Sequence, residues 1–142
     1  MSTQMLNLSR VLVVSGLAVS LGSVTATAQK KYDIGVSDTE IKIGNVMPYS
    51  GPASAYAAIG KTEAAYFKMI NEQGGVNGRK INFISYDDGF SPPKTVEQVR
   101  KLVESDEVFL LFNVVGTAGN SAIQKYVNLK KIPHLFISSG AA

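Results

Sequence analysis

The 142-residue sequence contains no cysteine and only one histidine, His134. The absence of cysteine excludes a disulfide framework, a thiolate metal site, a cysteine nucleophile and a lipid-modified cysteine. One imidazole, without a second histidine or a thiolate beside it, cannot build a transition-metal site. His134 follows Pro133 at the start of a predicted buried strand, so we interpret it as a satisfied structural histidine rather than a catalytic base.

The motifs of nucleotide and acyl chemistry are also missing. No G-x-G-x-x-G follows the first predicted strand, no G-x-x-x-x-G-K-[ST] occurs, and no serine lies within G-x-S-x-G. The phosphate cradles of dinucleotide-binding and P-loop proteins and the nucleophile elbow of hydrolases are therefore absent. The formal net charge is only +3 and the lysines are scattered, which does not indicate a nucleic-acid-binding face. We expect no cofactor and no nucleic-acid partner.

Residues 1–28 have the pattern of an export signal. Arg10 supplies a positive charge, residues 11–24 form an apolar run too short to span a bilayer as a helix, and Ala26-Thr27-Ala28 is a small-x-small cleavage pattern before Gln29. We expect a signal peptide over residues 1–28, cleaved near Ala28, and a mature chain over residues 29–142. With no cysteine at the cleavage point, free release into a periplasm is favoured over lipid tethering. An uncleaved N-terminal membrane anchor is the alternative interpretation.

The mature region alternates predicted strands with predicted helices. Apolar patterns predict strands over residues 41–47, 80–86, 108–115 and 133–138, with helices that begin near Ala57, Ser91 and Gly116. This order predicts an α/β domain, a doubly wound parallel sheet with helices on both faces. The residues at helical spacing that the first helix is expected to bury are Thr62, Ala65, Tyr66, Met69 and Ile70.

Ligands bind such sheets in the crevice outside the carboxyl ends of the strands. At these ends the sequence places hydroxyl groups, small residues and helix starts, which suit reversible hydrogen bonding of a small carboxylate rather than bond-making chemistry. We expect no catalytic residue and no metal ligand here. The hydroxyl-bearing candidates for ligand contact are Ser50, Tyr56, Thr117, Ser138 and Ser139.

Asp87 and Asp88 form the one pair of carboxylates at a predicted strand end. Such a pair could hold a hard cation or act as acid and base, which would make the chain an exported enzyme or a sensor domain. In the competing structural interpretation, one aspartate caps the turn that leads to Ser91 while its neighbour is solvated. We favour the structural interpretation.

Four stretches of the chain occur in the same order in one known family. They are residues 38–44 (DTEIKIG), 50–60 (SGPASAYAAIG), 71–80 (NEQGGVNGRK) and 86–88 (YDD). Through them the chain resembles the branched-chain amino-acid (leucine/isoleucine/valine) type of substrate-binding protein of ABC transporters. The resemblance covers essentially all of the mature chain.

The resemblance implies a two-lobed, hinge-closing periplasmic binding protein of type I, monomeric and not an enzyme. It also implies that a branched-chain amino acid, or a related small carboxylate or amide, binds in the cleft and that the closed form is presented to an ABC permease in the inner membrane. By position, the ligand-gripping loops of the family fall on residues 50–56, 116–121 and 138–141, which adds Ala118 to the candidates.

Members of that family are more than twice as long as this chain. The resemblance therefore implies an incomplete N-terminal lobe, with the second lobe absent. We expect such a lobe to bind weakly, because closure of two lobes is what excludes water from the cleft. A truncated open reading frame without a function of its own is the remaining alternative.

Overall fold

The computed structural model describes residues 31–141, so the expected signal peptide and its cleavage site lie outside the described residues. No helix in this part of the chain is long and apolar enough to cross a membrane. The elements, in chain order, are β1 (Glu40–Met47), a 3₁₀ turn (Ser54–Tyr56), α1 (Ala57–Glu72), β2 (Lys80–Asp87), α2 (Pro92–Glu104), β3 (Leu110–Phe112), α3 (Thr117–Lys130) and β4 (His134–Leu135).

The four strands form one parallel sheet in the order β2-β1-β3-β4. In the register of this sheet, Ile43 of β1 lies between Phe83 of β2 and Leu110 of β3, and Leu111 pairs with His134 of β4. Since each strand is followed by a helix before the next parallel strand, the predicted α/β alternation is confirmed.

Alternate residues of β1 face opposite layers of helix. Asn45 contacts Glu63 of α1, whereas a side chain at Gly44 would meet Leu102 of α2 and Val46 belongs to the same apolar cluster as Leu102. Helix α1 therefore covers one face of the sheet, and α2 and α3 cover the other. The prediction of a doubly wound sheet is confirmed.

The fully buried core lies on the side of α2 and α3. Because aliphatic side chains at helical spacing on these two helices meet Val46 of β1 and the apolar residues in and around β3, this layer excludes water. The core cluster consists of Val46, Val99, Leu102, Val108, Leu111, Val114, Ile123 and Val127.

The predicted inner face of α1 is wrong at four of its five positions, since only Ile70 is partly buried. Tyr66 and Met69 remain 54% and 43% exposed, and Thr62 and Ala65 also face solvent. Instead, α1 turns Gly60, Glu63 and Phe67 towards the sheet. The ring of Phe67 packs between Phe83 at 5.0 Å and Phe112 at 5.6 Å, and these aromatic contacts select one of two similar apolar stripes.

Strands β3 and β4 are shorter than the predicted segments 108–115 and 133–138. Asn113 and Phe136 adopt left-handed conformations, with φ of 49° and 56°, and interrupt the extended backbone. Pairing resumes only at a single bridge between Val115 and Ser138. These two interruptions lead the chain out of the sheet at the edge where the candidate residues lie.

Candidate functional site

The strand order places a crevice between β1 and β3. From β1 the chain crosses through α1 to β2 on one side, and from β2 it crosses through α2 to β3 on the other side. The loops that follow β1 and β3 therefore diverge at the carboxyl ends of these strands. In open α/β sheets such a switch point is where ligands bind.

A cleft of about 320 Å³ opens at this edge of the sheet. Four of the six candidate residues, Tyr56, Thr117, Ser138 and Ser139, line it. Its other lining residues are Phe90, Val115, Gly116 and Gly140. The structure thus brings together residues from the turn before α1, the turn before α2 and the loops after β3 and β4.

The polar floor of the cleft joins the ends of β3 and β4. Thr117 Oγ1 lies 2.8 Å from Ser139 Oγ, and the backbone N–H of Gly116 donates to the carbonyl of Ser138 at 2.9 Å. The backbone N–H of Ala141 donates to Ser139 Oγ at 3.1 Å. Two hydroxyl groups are therefore held side by side in an exposed position.

The same floor lies at the N-terminus of α3. The first helical hydrogen bond there runs from the N–H of Asn120 to the carbonyl of Gly116 at 3.1 Å, so the N–H groups of Thr117, Ala118 and Gly119 precede it. Such first-turn N–H groups and the helix dipole favour an anion. Ala118 is not among the residues that line the cleft, and only its backbone N–H belongs to this group of donors.

Tyr56 and Phe90 form the apolar walls of the cleft and are 52% and 45% exposed. Phe90 has φ 63°, and its N–H donates to Asp88 Oδ1 at 2.8 Å, which holds this unusual conformation. Its ring packs on Gly116, where a Cβ atom would lie 2.7 Å from Phe90 Cε2. Sequence analysis missed Phe90. The available signal was a large apolar side chain inside an otherwise polar turn.

Ser50 lies outside the cleft. Its N–H donates to Asp87 Oδ1 at 3.0 Å and its hydroxyl donates to Asp87 Oδ2 at 2.5 Å, so it ties the loop after β1 to the end of β2. The Ser50 hydroxyl is the main reason why the pKa of Asp87 is lowered from its ordinary value. The structure therefore does not group Ser50 with the other candidates.

The acidic pair is engaged in structural hydrogen bonds. Asp88 is 1% exposed and accepts from the N–H of Phe90 and from Thr95 Oγ1 at 2.5 Å, while Asp87 is bonded to Ser50. One aspartate therefore closes the turn before α2, as the structural interpretation predicted. Within residues 31–141, no group of three histidine or carboxylate side chains converges on a possible metal position.

His134 differs from the expectation of a satisfied histidine. Its Nε2 is buried and has no hydrogen-bond partner among the described residues, and burial lowers its pKa. The side chain borders a cavity of about 160 Å³ that also reaches Thr117 and Ser139. His134 thus lies next to the cleft without lining it.

A second groove, of about 280 Å³, lies between α1 and the beginning of β2. Lys68, Glu72 and Lys80 border it, together with Phe67 and Phe83. This groove contains none of the candidate residues and lies away from the carboxyl ends of β1 and β3. The cleft at the switch point is therefore the better candidate for a ligand site.

Comparisons with known proteins agree with this fold. Residues 40–142 match the family described as periplasmic binding protein. The chain is 30% identical over 87 residues to the leucine-, isoleucine-, valine-, threonine- and alanine-binding protein of Pseudomonas aeruginosa, which is 61% of this chain and 23% of that relative.

Two solved structures show the same fold. The substrate-binding periplasmic protein from Ralstonia solanacearum superposes with a TM-score of 0.67 at 30% identity, over 71% of this chain and 30% of that one. The fatty acid ABC transporter substrate-binding protein from Thermomonospora curvata superposes with a TM-score of 0.64 at 27% identity, over 78% and 28%. The chain thus spans less than a third of the length of each of these relatives.

Proposed function

The chain belongs to the periplasmic binding protein family, and from this premise we propose that it forms one wall of the ligand cleft of an ABC importer's substrate-binding component. In this proposal the protein works in the periplasm, binds a small molecule reversibly and delivers it to a permease in the inner membrane. The relatives named above are binding proteins, and one of them is the substrate-binding protein of an ABC transporter, which supports this class of activity.

The observation that carries the proposal is the pair of hydroxyl groups of Thr117 and Ser139 at the N-terminus of α3. They lie 2.8 Å apart, beside the N–H groups of the first helical turn and open to the cleft. One hydroxyl group donates to the other, so a carboxylate placed there would accept a hydrogen bond from the remaining O–H and from backbone N–H groups. These donors do not titrate, so they suit binding and release rather than catalysis.

The proposed ligand class is a small carboxylate with an apolar body, and within it a branched-chain amino acid or a related amide. One named relative is a leucine-, isoleucine-, valine-, threonine- and alanine-binding protein and another belongs to a fatty acid transporter, and a carboxylate group is common to both ligand types. Tyr56 and Phe90 provide apolar walls beside the polar floor. If the aliphatic side chain of such a ligand packs against these rings, the carboxylate of the ligand faces Thr117.

Nuclear magnetic resonance titration of the chain with leucine tests the proposal directly. We expect weak binding, since a single wall leaves the ligand largely in water. The amide signals of Thr117, Ala118 and Ser139 should shift with leucine but not with isoamylamine, which is leucine without its carboxylate. Asp87→Asn should leave these leucine-induced shifts in place, because the proposed site does not use the acidic pair. If the chain were instead an enzyme that uses Asp87 and Asp88, this variant would lose its function.

Thr117→Val removes the hydroxyl with little change in side-chain volume and should weaken leucine binding about tenfold, the effect of losing one hydrogen bond to a charged group. Thr62→Val makes the same change on the exposed side of α1 and serves as the matched control. Shifts that are equal for leucine and isoamylamine, or that lie away from Thr117, would contradict the proposed carboxylate site.

A further inference from the structure

A buried polar network lies beneath the cleft, on the face of the sheet that α1 covers. Its centre is Asn45 of β1, which is fully buried and whose Nδ2 donates to the carbonyls of Phe112 at 2.8 Å and Asn113 at 3.0 Å. Ser85 Oγ donates to Asn45 Oδ1 at 2.6 Å and lies 2.6 Å from the hydroxyl of Tyr49. These bonds fix the orientation of the Asn45 amide, because its oxygen and its nitrogen have different partners.

Glu63 joins this network from the middle of α1. Asn113 Nδ2 donates to Glu63 Oε1, and Asn45 Nδ2 lies 3.5 Å from Glu63 Oε2. The Glu63 carboxylate is partly buried, and burial raises its pKa although the bond from Asn113 acts in the opposite direction. Neither of the two ion pairs among residues 31–141, Lys68–Glu72 and Lys130–Glu104, includes it.

A partly buried carboxylate without a cationic partner is costly unless hydrogen bonds compensate it, and here the compensating donors are the amides of Asn113 and Asn45. The contact with Asn113 indicates what this arrangement does. Asn113 is the first residue after β3, and its φ of 49° turns the chain out of the sheet towards Gly116 and Thr117. A side chain that holds Asn113 therefore acts on the course of the loop that forms the floor of the cleft.

Helix α1 also begins directly after Tyr56, which forms one wall of the cleft beside the floor that contains Thr117. The bond from Asn113 to Glu63 thus connects the helix that follows one wall with the loop that leads to the floor. It spans the switch point between β1 and β3, where the crevice opens. Asn45 reinforces the same connection from β1 through the carbonyls of Phe112 and Asn113.

We propose that Glu63 is a positioning residue for the ligand site: through Asn113 it holds the loop after β3 so that Thr117 faces Tyr56 across the cleft. Its effect on ligand affinity rests on the function proposed above. Its effect on the conformation of the loop does not depend on any ligand.

Amide hydrogen exchange of the ligand-free chain measures that conformation. Three backbone N–H groups of the loop serve as reporters. Asn113 donates to the carbonyl of Leu135 at 2.9 Å, Val115 donates to that of Val46 at 3.3 Å, and Gly116 donates to that of Ser138 at 2.9 Å. Two N–H groups near the other end of the sheet serve as references: Lys80 donates to the carbonyl of Thr39, and Phe109 donates to that of Lys42. The ratio of reporter to reference rates separates local opening from global unfolding.

Glu63→Gln tests the carboxylate with almost no change in volume. Both groups that face Glu63 are amide donors, so glutamine can accept from one of them but brings its own donor against the other. The reporter amides should exchange about tenfold faster relative to the references, as expected when one hydrogen bond to a charged group is lost. Glu72→Gln makes the same change at the exposed end of α1 and should leave the ratio unchanged.

A compensating swap distinguishes positioning from mere packing. In Glu63→Gln combined with Asn113→Asp, the glutamine amide can donate to the new carboxylate while its oxygen accepts from Asn45. Aspartate also tolerates the left-handed conformation at position 113. The double variant should return the reporter ratio to within about threefold of the wild type, well inside the tenfold effect of one charged hydrogen bond, whereas Asn113→Asp alone sets two carboxylates against each other and should not.

Leucine titrations of the same proteins separate the two proposals. If positioning is correct, Glu63→Gln weakens the leucine-induced shifts at Thr117 and the swap recovers them. Unchanged reporter ratios in Glu63→Gln, or a swap that fails to restore them, would overturn the positioning role even if leucine binds. If the exchange ratio is altered in Glu63→Gln and restored in the double variant, but the wild-type chain gives no leucine shifts, the proposed function is overturned and the positioning of the loop is established.

Discussion

Replacement of Gly116 by alanine is the sharpest test of how the cleft is built. Gly116 has φ 107° and ψ 128°, a conformation that side chains rarely adopt, and it immediately precedes α3. A Cβ atom at this position would also lie 2.7 Å from Phe90 Cε2 and 3.4 Å from two further ring atoms. The substitution therefore introduces both backbone strain and a steric clash.

The two effects have comparable magnitudes. A non-glycine residue in such a backbone region costs about 1–3 kcal/mol, and overpacking against a ring costs about 1–3 kcal/mol. We expect Gly116→Ala to lower the free energy of unfolding by about 2–6 kcal/mol in total. For a domain of this size, that lowers the melting temperature by roughly 8 °C or more.

Gly74 offers a matched control for the backbone effect. It has φ 103°, and no heavy atom lies within 4 Å of the position that a Cβ atom would occupy. Gly74→Ala should therefore show the strain alone. Urea unfolding followed by circular dichroism gives the free energy of each variant, and the difference between the two variants isolates the contact with Phe90.

A double variant completes the test. Phe90→Ala removes the ring, so the cost of Gly116→Ala in that background should fall by about 1–3 kcal/mol towards the cost of Gly74→Ala. If Gly116→Ala costs no more than Gly74→Ala, or if the cost is independent of Phe90, the packing of Phe90 on Gly116 does not support the wall of the cleft. The inferred geometry of the site would then be refuted.

Three further predictions concern stability. Gly60→Ala should destabilise the chain because its methyl group would meet the hydroxyl of Tyr49, and Tyr49→Phe should recover part of the loss in melting temperature. Because burial lowers the pKa of His134 below 6.5, the unfolded state binds the proton more tightly than the folded state. The urea midpoint should therefore be highest above pH 6.5 and fall as the pH drops through the folded-state pKa. His134→Asn should remove this pH dependence. The pKa of Asp87 is lowered from 3.8 chiefly by the hydroxyl of Ser50. The stability that Asp87 contributes is therefore present above pH 3.8 and lost as the pH falls through the folded-state pKa. Ser50→Ala should reduce this loss of stability in acid, measured by the same urea midpoints.

Local sequence features correctly predicted the elements that depend on short-range preferences. Asn77-Gly78 is a dipeptide typical of tight turns, and it forms one here, with φ values of 51° and 78° and hydrogen bonds between Val76 and Arg79. Pro92 begins α2 directly after Ser91, as predicted, although the Ser91 side chain makes no capping bond. These features follow from backbone preferences within a few residues, so the sequence by itself suffices for them.

The orientation of α1 depended on partners that are distant in the chain. Two apolar stripes on this helix compete, and the one that contains Phe67 is buried because Phe83 and Phe112 lie on the neighbouring strands. The same rotation brings Glu63 to Asn113, fifty residues further along the chain. Periodicity could not reveal a buried carboxylate, because its acceptability depends on those amide partners.

The candidate site, too, could be predicted from the sequence only in part. By itself, the sequence determined the alternation of strands and helices, and hence that hydroxyl-bearing loops follow the strands at one edge, since both result from hydrophobic period and local backbone preference. Only the tertiary structure decided that Thr117 and Ser139 join Tyr56 and Phe90 around one cleft while Ser50 turns to Asp87. The physical reason is that these groupings depend on packing and hydrogen bonds between residues that are brought together only when the sheet has formed.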